Sequence, residues 1–163
     1  MKMKETIDFG SPEDYLPQRP PMLLISRITK ITEEGAECEA DASILKPFRR
    51  EDRSVPEALY IELLAQTVGV WSGYWRKNRG ETVGDAPLGF LLSVRSFAVK
   101  IPKIAEEGAL AVKITKLIFE GSLGSFEGNV EAGDRMAASG RVSVYQPSLV
   151  EFRKLFPENK KGE

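Results

Sequence analysis

Between Ala58 and Trp75 the only charged residue is Glu62, at the centre of the stretch VPEALYIELLAQTVGVWSGYW, residues 55–75. A carboxylate in so apolar a segment is unfavourable by several kcal/mol unless it is paired, hydrogen-bonded or protonated. Two readings stand open. The segment turns Glu62 towards water or an arginine, or Glu62 is a desolvated carboxylate placed for acid/base work. Gln66 follows one helical turn later, close enough to hold the carboxylate by a hydrogen bond. The chain contains no histidine, which removes Ser-His-Asp and Cys-His triads, histidine metal sites and any imidazole base. Cys38 is the single cysteine, so no intrachain disulfide and no cysteine-based zinc site can form. Chemistry must come from carboxylates, hydroxyls, amides, amines, the thiol or backbone dipoles. No metal and no cofactor is expected.

The segment that carries Glu62 reads as one helix from about Val55 to Asn78, stopped at Gly80. Ser54-Val55-Pro56-Glu57 has the capping-box spacing for its start, and Arg76, Lys77 and Arg79 suit its C-terminal dipole. Ala65, Gly69 and Gly73 recur every four residues, a nearly side-chain-free stripe that would let a sheet or partner helix approach closely. Ahead of the helix, Ser11-Pro12-Glu13-Asp14 can start one helical turn, and the prolines at 17, 20 and 21 impose an extended lead-in. MLLISRITKIT (22–32) and GAECEADASI (35–44) read as a hairpin, with Leu24, Ser26, Ile28 and Lys30 on one face of the first strand and Ala36, Cys38, Ala40 and Ala42 on the inner face of the second. Four further strands are expected in 88–101, 108–119, 125–132 and 135–146. In the second of these the apolar phase switches from Leu110, Val112 and Ile114 to Leu117 and Phe119, which predicts a bulge. SLVEFRKLF (148–156) suits a short amphipathic helix, and residues 1–10, 81–87 and 157–163 read as loose ends or loop. The order, a hairpin, one long apolar helix and then antiparallel strands, is α+β, a sheet wrapped around a central helix.

With 163 residues and 42% hydrophobic side chains, the chain suits one domain, 1–163, with its core at about 15–147. A net charge of -1 argues against wholesale nucleic-acid binding. No apolar run reaches membrane-spanning length and the start lacks a signal-peptide pattern, so a cytoplasmic protein is expected. Cys38 reads as an inert packing thiol, EGSLGSFEG (120–128) as a hairpin turn, and Asp14, Glu51 and Asp52 as solvated loop carboxylates. Trp71, Tyr74 and Trp75 are core by default, with pocket lining as the other reading.

YLPQRPPMLLISRI (15–28), VPEALYIELLAQTVGV (55–70) and SFAVKIPKIAEEGALAVKI (96–114) resemble three motifs of the β-hydroxyacyl-acyl-carrier-protein dehydratases of bacterial fatty-acid synthesis. These are a Leu-Pro-His-Arg start, a Pro-Gly-x-x-x-x-Glu-x-x-Ala-Gln helix and an Arg-Phe-x-x-x-Val-x-Pro-Gly-Asp junction. The resemblance covers about Tyr15 to Gln146 and implies the hot-dog fold. It is also similar to a divergent dehydratase branch associated with aryl-polyene-type lipid pathways. By resemblance Glu62 falls on the family's catalytic carboxylate and Gln66 on the glutamine after it. The family's histidine, in a His-Phe-Pro-Gly loop, falls near Phe48-Arg49-Arg50-Glu51 and is absent. The divergent branch often keeps a histidine where this chain has Gln18.

The resemblance implies reversible dehydration of a 3-hydroxyacyl thioester to a 2-enoyl thioester, in fatty-acid or related lipid synthesis. Glu62 would be the acid/base, Gln66 its orienter and Gln18 a polar substrate contact. Val55, Glu57 and Ala58 at the helix start would polarise the thioester carbonyl, with Phe48 and Phe97 beside the acyl group. Arg49, Arg50, Arg53, Arg76 and Lys77 would dock an acidic acyl carrier protein or the phosphates of coenzyme A; the bland alternative is a solvated charged face. A homodimer is expected, with pockets at its interface. The missing histidines leave two alternatives: a non-catalytic subunit that binds acyl chains or pairs with a second hot-dog chain, and an acyl-coenzyme A thioesterase.

Overall fold

The computed structural model describes residues 7–81 and 89–157. The expected loose start, the loop after the long helix and the tail lie largely outside the described residues.

The long apolar stretch forms α1 (Glu57–Asn78). It starts two residues later than the capping-box spacing predicts, because Ser54 is otherwise engaged. Both the Ser54 N–H (2.9 Å) and its hydroxyl (2.6 Å) donate to Asp52 Oδ1, so Pro56 takes the N-cap position without a side-chain bond. The helix ends as expected: Arg79 caps it and Gly80 follows at φ +83°, a backbone conformation that glycine adopts without steric penalty.

Six strands curve around α1: β1 (Arg27–Thr32), β2 (Gly35–Asp41), β3 (Phe90–Val99), β4 (Ala109–Glu120), β5 (Leu123–Ala132) and β6 (Arg135–Tyr145). They form one antiparallel sheet in the order β1-β2-β4-β5-β6-β3. A short helix, α2 (Leu149–Leu155), closes the described chain under a Ser148/Glu151 capping box. The predicted phase switch in β4 is a bulge: the register slips between Lys116 and Ile118, Leu110, Val112 and Ile114 are buried, and Leu117 and Ile118 are exposed. β2 keeps the expected alternation, with Ala36, Cys38 and Ala40 inward, but stops at Asp41, whose side chain accepts from the Ser43 N–H and caps a 3-10 helix, Ala42–Phe48, in which Ala42 is buried. Leu63, Leu64 and Val70 of α1 are fully buried, Leu64 against Gly128 of β5, where a Cβ would stand 2.7 Å from Leu64 Cδ2. Each such side chain stabilises the fold by roughly 1.5–3 kcal/mol on burial.

The first strand departs from simple alternation. Leu23, Leu24 and Ile25 are all buried, β1 begins only at Arg27, and a register shift between Ile28 and Lys30 turns both Ile28 and Ile31 inward. The reason is that residues 22–25 are not laddered as a strand; they pass over α1 and are bonded to one of its side chains. The small-residue stripe is likewise used differently from expectation. Neither a sheet strand nor a partner helix of the described residues lies on it; the segment Tyr15–Leu16 does. A Cβ on Gly73 would stand 2.9 Å from both Cβ and the carbonyl oxygen of Tyr15, and one on Gly69 would stand 2.6 Å from Leu16 Cδ2.

These two positions predict different outcomes. At Gly73 the obstacle is backbone, so Gly73→Ala is expected to destabilise by about 1–2 kcal/mol despite the roughly 1 kcal/mol helix-propensity gain. At Gly69 the obstacle is the tip of a leucine that can rotate, so Gly69→Ala should lie within about 0.5 kcal/mol of the parent. Urea denaturation of the two variants checks the difference.

Candidate functional site

Glu62 faces a cavity of about 230 Å³ bounded by α1, the segment Tyr15–Gln18, the start of β3 and the end of β6. The helix positions its lining through a single stripe. Glu62, Gln66, Gly69, Gly73 and Arg76 follow at intervals of three and four residues, so they share one face. The two glycines leave the middle of that face hollow, with Glu62 near one end and Arg76 at the other.

Gln66, 1% exposed, fixes the carboxylate. Its Oε1 accepts from the Leu24 N–H (2.9 Å), while its Nε2 donates to the Met22 carbonyl (2.7 Å) and to Glu62 Oε1 (2.9 Å). The backbone donor at Leu24 decides which end of the amide is oxygen, and so decides that the NH₂ group faces Glu62. The other carboxylate oxygen, Oε2, has no protein donor among the described residues. Gln18 lines the same cavity, and its Oε1 is buried with no hydrogen-bond partner among the described residues. A buried acceptor without a donor is unfavourable by about 1–3 kcal/mol, so this oxygen is suited to a ligand hydroxyl or amide. The arrangement offers one oriented carboxylate, able to take or return a proton, beside one vacant acceptor.

A family profile described as ApeP-like, ApeP dehydratase, matches residues 10–156. The chain belongs to the ApeP-like dehydratase family. Among solved structures, the dehydratase heterocomplex ApeI:P from Xenorhabdus doucetiae contains a chain that superimposes with a TM-score of 0.80 at 31% identity, over 91% of this chain and 99% of that one. A 3-hydroxyacyl-[acyl-carrier-protein] dehydratase FabZ of Streptococcus agalactiae is 30% identical over 142 residues, 84% of this chain and 96% of that protein. A hypothetical thioesterase protein of Streptococcus pneumoniae, solved with coenzyme A, matches at 9% identity with a TM-score of 0.57, over 75% of this chain and 85% of that one. That last likeness bears on the fold alone. The α+β sheet around a central helix is the hot-dog fold.

The ApeP-like chain brings Glu62, Gln66 and Gln18 together as its sequence suggests, and leaves other expected contacts elsewhere. Val55 is fully buried and its N–H donates to the Pro102 carbonyl (2.8 Å), so that donor is not available to a ligand. Glu57 and Ala58 are exposed and do not line the Glu62 cavity. Phe48 and Phe97 are half-buried against the core. Phe97 packs under Gly140, 2.9 Å from where its Cβ would be, beside the β3 bulge at Ser96 (φ +50°). Neither phenylalanine lines the cavity. Among the carboxylates read as solvated, Asp14 accepts from the Ser11 N–H (3.0 Å), and the Ser54 hydrogen bonds hold Asp52 below its usual carboxylate range.

The cations divide by what they already bind. Arg49 is a strut, donating to the carbonyls of Arg53 (3.0 Å), Ile104 (2.9 Å) and Ala105 (2.9 Å). Arg50 pairs with Glu57 (2.7 Å) and Arg53 lies 3.6 Å from Glu106. Lys77 sits over the Tyr15 ring, 5.3 Å from its centroid. Arg76 is turned inward: its side chain is 11% exposed, and burial lowers its pKa. Ser72 and Gln146, in side-chain contact with each other, and Tyr15, Phe90 and Val144 also line the cavity. Sequence reasoning missed them. For Ser72 a signal existed, the helical stripe that starts at Glu62 and also carries Arg76, which the sequence suggests as a docking cation and not as cavity lining; for Gln146 and Phe90 none did, since only the folded sheet brings them there.

Two outcomes follow from this geometry. Gln66→Leu leaves the Leu24 N–H buried and unpaired and removes the partner of the partly buried Met22 carbonyl, so a loss of roughly 1–3 kcal/mol is expected, whereas near-isosteric Glu62→Gln should change stability by less than about 1 kcal/mol; urea titration separates them. Burial pushes the Cys38 thiol up to about 12, and because the thiolate is the reactive form, iodoacetamide should leave Cys38 unmodified in the folded protein at mildly alkaline pH and alkylate it once urea unfolds the chain.

Proposed function

We propose that the chain catalyses reversible dehydration of a 3-hydroxyacyl thioester to a 2-enoyl thioester, with Glu62 as the acid/base. The observation that carries this reading is the Glu62–Gln66 pair in the cavity, with the vacant Gln18 acceptor alongside. Dehydration needs a proton removed from the carbon next to the thioester carbonyl and a proton delivered to the departing hydroxyl. Glu62 takes the first: the C–H bond breaks, the C=C bond forms, and the C–O bond breaks as the hydroxyl accepts a proton and leaves as water. Gln66 holds the carboxylate in one orientation throughout, and Gln18 Oε1 accepts from the substrate hydroxyl or pantetheine amide. An amide cannot serve as the acid. The proton for the hydroxyl is therefore returned by Glu62 itself or comes from another chain.

The second possibility has its own support, and it is the partner-subunit reading. This chain has no histidine, and the solved relative of 31% identity stands in a dehydratase heterocomplex. In that form Glu62 is half of a site that a second hot-dog subunit completes. A homodimer would supply a second carboxylate but no imidazole. The acyl group would reach the site on an acyl carrier protein or as a coenzyme A thioester. The exposed cations Arg53 and Lys77 are the remaining docking candidates, since Arg49 is bonded to three carbonyls, Arg50 is paired with Glu57 and the Arg76 side chain is turned away from the surface.

The test follows hydration of a short 2-enoyl thioester by loss of enoyl absorbance, with thiol release measured in parallel. Hydration by the purified chain, reduced about 10²- to 10⁴-fold in Glu62→Gln, is expected if the chain works alone. Hydration that appears only after adding a histidine-bearing hot-dog subunit from the same source, and is still lost in Glu62→Gln, supports the shared site. Thiol release lost in that variant identifies a thioesterase and overturns the dehydratase reading, as does hydration that survives the loss of the carboxylate.

A further inference from the structure

A second cavity, about 270 Å³, lies beyond the Glu62 cavity at the C-terminal end of α1. Its floor is aromatic, formed by Trp71, Trp75 and Phe119, with the Trp71 and Phe119 rings 5.3 Å apart. Its walls are cationic, formed by Arg76, Arg79 and Lys116, and among the described residues the one carboxylate of its lining is Glu33. Two of its donors are buried with no acceptor among the described residues: Arg76 Nη1 and Trp75 Nε1. The other indole is satisfied, Trp71 Nε1 donating to the Thr32 carbonyl (2.9 Å). Glu81 approaches Arg76 at Nε, 3.8 Å away, and lies 3.6 Å from Arg79 Nε; among the described residues Nη1 stays without an acceptor.

A charged side chain only 11% exposed, with a buried guanidinium nitrogen, is an expensive feature to leave half-bonded. Charged groups removed from water are normally paired or fully hydrogen-bonded, and α1 has no need of a cation here, since the exposed Lys77 and Arg79 already answer its C-terminal dipole. Two buried N–H donors, three positive charges and an aromatic floor together match one chemistry: an oxyanion carried on an apolar or flat body. The guanidinium forks onto carboxylate or phosphate oxygens, the indole N–H adds a third donor, and the rings cover the body.

We propose that this second cavity is a binding site for a small oxyanion-bearing molecule, a carboxylate or a phosphate ester, held by Arg76 and Trp75 with Lys116 and Arg79 at its mouth. The inference is independent of the dehydratase reading. The two cavities nevertheless share Ser72, Arg76 and Gln146, and fourteen residues of α1 place Arg76 about 21 Å along the axis from Glu62. A long ligand can reach both: the anion at Arg76 would mark one end and the reacting atoms at Glu62 the other. The Ser72–Gln146 contact lies at the junction between them.

Trp71 and Trp75 are the only tryptophans in the chain, and both line this cavity, so their fluorescence reports its occupancy directly. The full chain is titrated with inorganic phosphate, with hexanoate and with chloride at matched ionic strength. A saturable change in tryptophan emission with phosphate or hexanoate, absent with chloride, is expected. The apparent affinity should fall about tenfold or more in Arg76→Gln, the loss of a charge-assisted hydrogen bond. Lys116→Gln, at the cavity mouth, should weaken it in the same direction and keeps the test valid if the Arg76 variant does not fold, which circular dichroism shows. Saturation by phosphate alone identifies a phosphate ester as the ligand class, and saturation by hexanoate alone a carboxylate. No saturable change with either anion, or equal binding in a folded Arg76→Gln and in Lys116→Gln, overturns the proposal.

Discussion

The Gln66 side chain is the constraint on which both the fold near the helix and the candidate site depend. One amide reaches three groups: the N–H of Leu24, the carbonyl of Met22 and the carboxylate of Glu62. The first two are backbone groups without a ladder partner, the Leu24 N–H fully buried and the Met22 carbonyl partly so, because residues 22–25 run over α1 rather than along another strand. The third is the carboxylate. Structural and chemical demands are thereby joined in one residue. Since the backbone donor claims the amide oxygen, the amide nitrogen has to point at Glu62, and the carboxylate is oriented by the same bonds that seat the segment on the helix.

The cavity exists because α1 gives up side chains where it matters. A helix interior tolerates glycine at a disadvantage of about 1 kcal/mol each, and Gly69 and Gly73 accept it in exchange for contact with Tyr15 and Leu16 at backbone distance. Tyr15 is anchored in turn: its hydroxyl donates to the Phe9 carbonyl, and its ring meets Tyr74 edge-on at 6.1 Å. The lead-in, read from its prolines as extended, instead folds into successive turns: the Tyr15 and Leu16 N–H groups donate to the Pro12 carbonyl, and those of Met22 and Leu23 to the Arg19 carbonyl. This turned segment roofs the small-residue groove without filling it. Ends of the groove are polar, Glu62 and Gln18 at one and Arg76 at the other, and its middle is apolar. That is a suitable shape for a chain-like ligand with distinct ends.

Charge on this protein separates into struts, pairs and donors waiting for a partner. Arg49 makes three hydrogen bonds to carbonyls of two different loops, which makes it part of the scaffold. Arg27 and Glu39 form a bidentate pair across the β1–β2 hairpin, an exposed contact of small energetic weight. Among the described residues Arg76 and Arg49 each hold a buried nitrogen without an acceptor, but Arg49 spends its other two nitrogens on three carbonyls, whereas Arg76 has only Glu81, 3.8 Å from its Nε. The distinction is one of desolvation: water satisfies an unpaired surface arginine at no expense, and an interior one has to find its acceptor in the protein or in a ligand.

Much of the architecture was legible in the residues themselves. The long apolar helix, its stop at Gly80, the inward face of β2, the bulge near Leu117 and the final helix all follow from local periodicity and turn chemistry, which act over a few residues and need no knowledge of the rest of the chain. Glu62 and Gln66 were legible for the same reason, being one turn apart on one helix, and the dehydratase resemblance pointed to their roles and to Gln18. Tertiary structure alone decided the rest. Ser54 prefers Asp52 to the helix start; Leu23, Leu24 and Ile25 are buried together because Gln66, forty-two residues on from Leu24, replaces their ladder; the small-residue stripe is covered by Tyr15–Leu16; and Arg76, which reads as a surface charge, lies inside. Each of these turns on which distant groups become neighbours. Hydrogen-bond partners and desolvation depend on that arrangement, whereas the 3.6- and 2-residue periods do not.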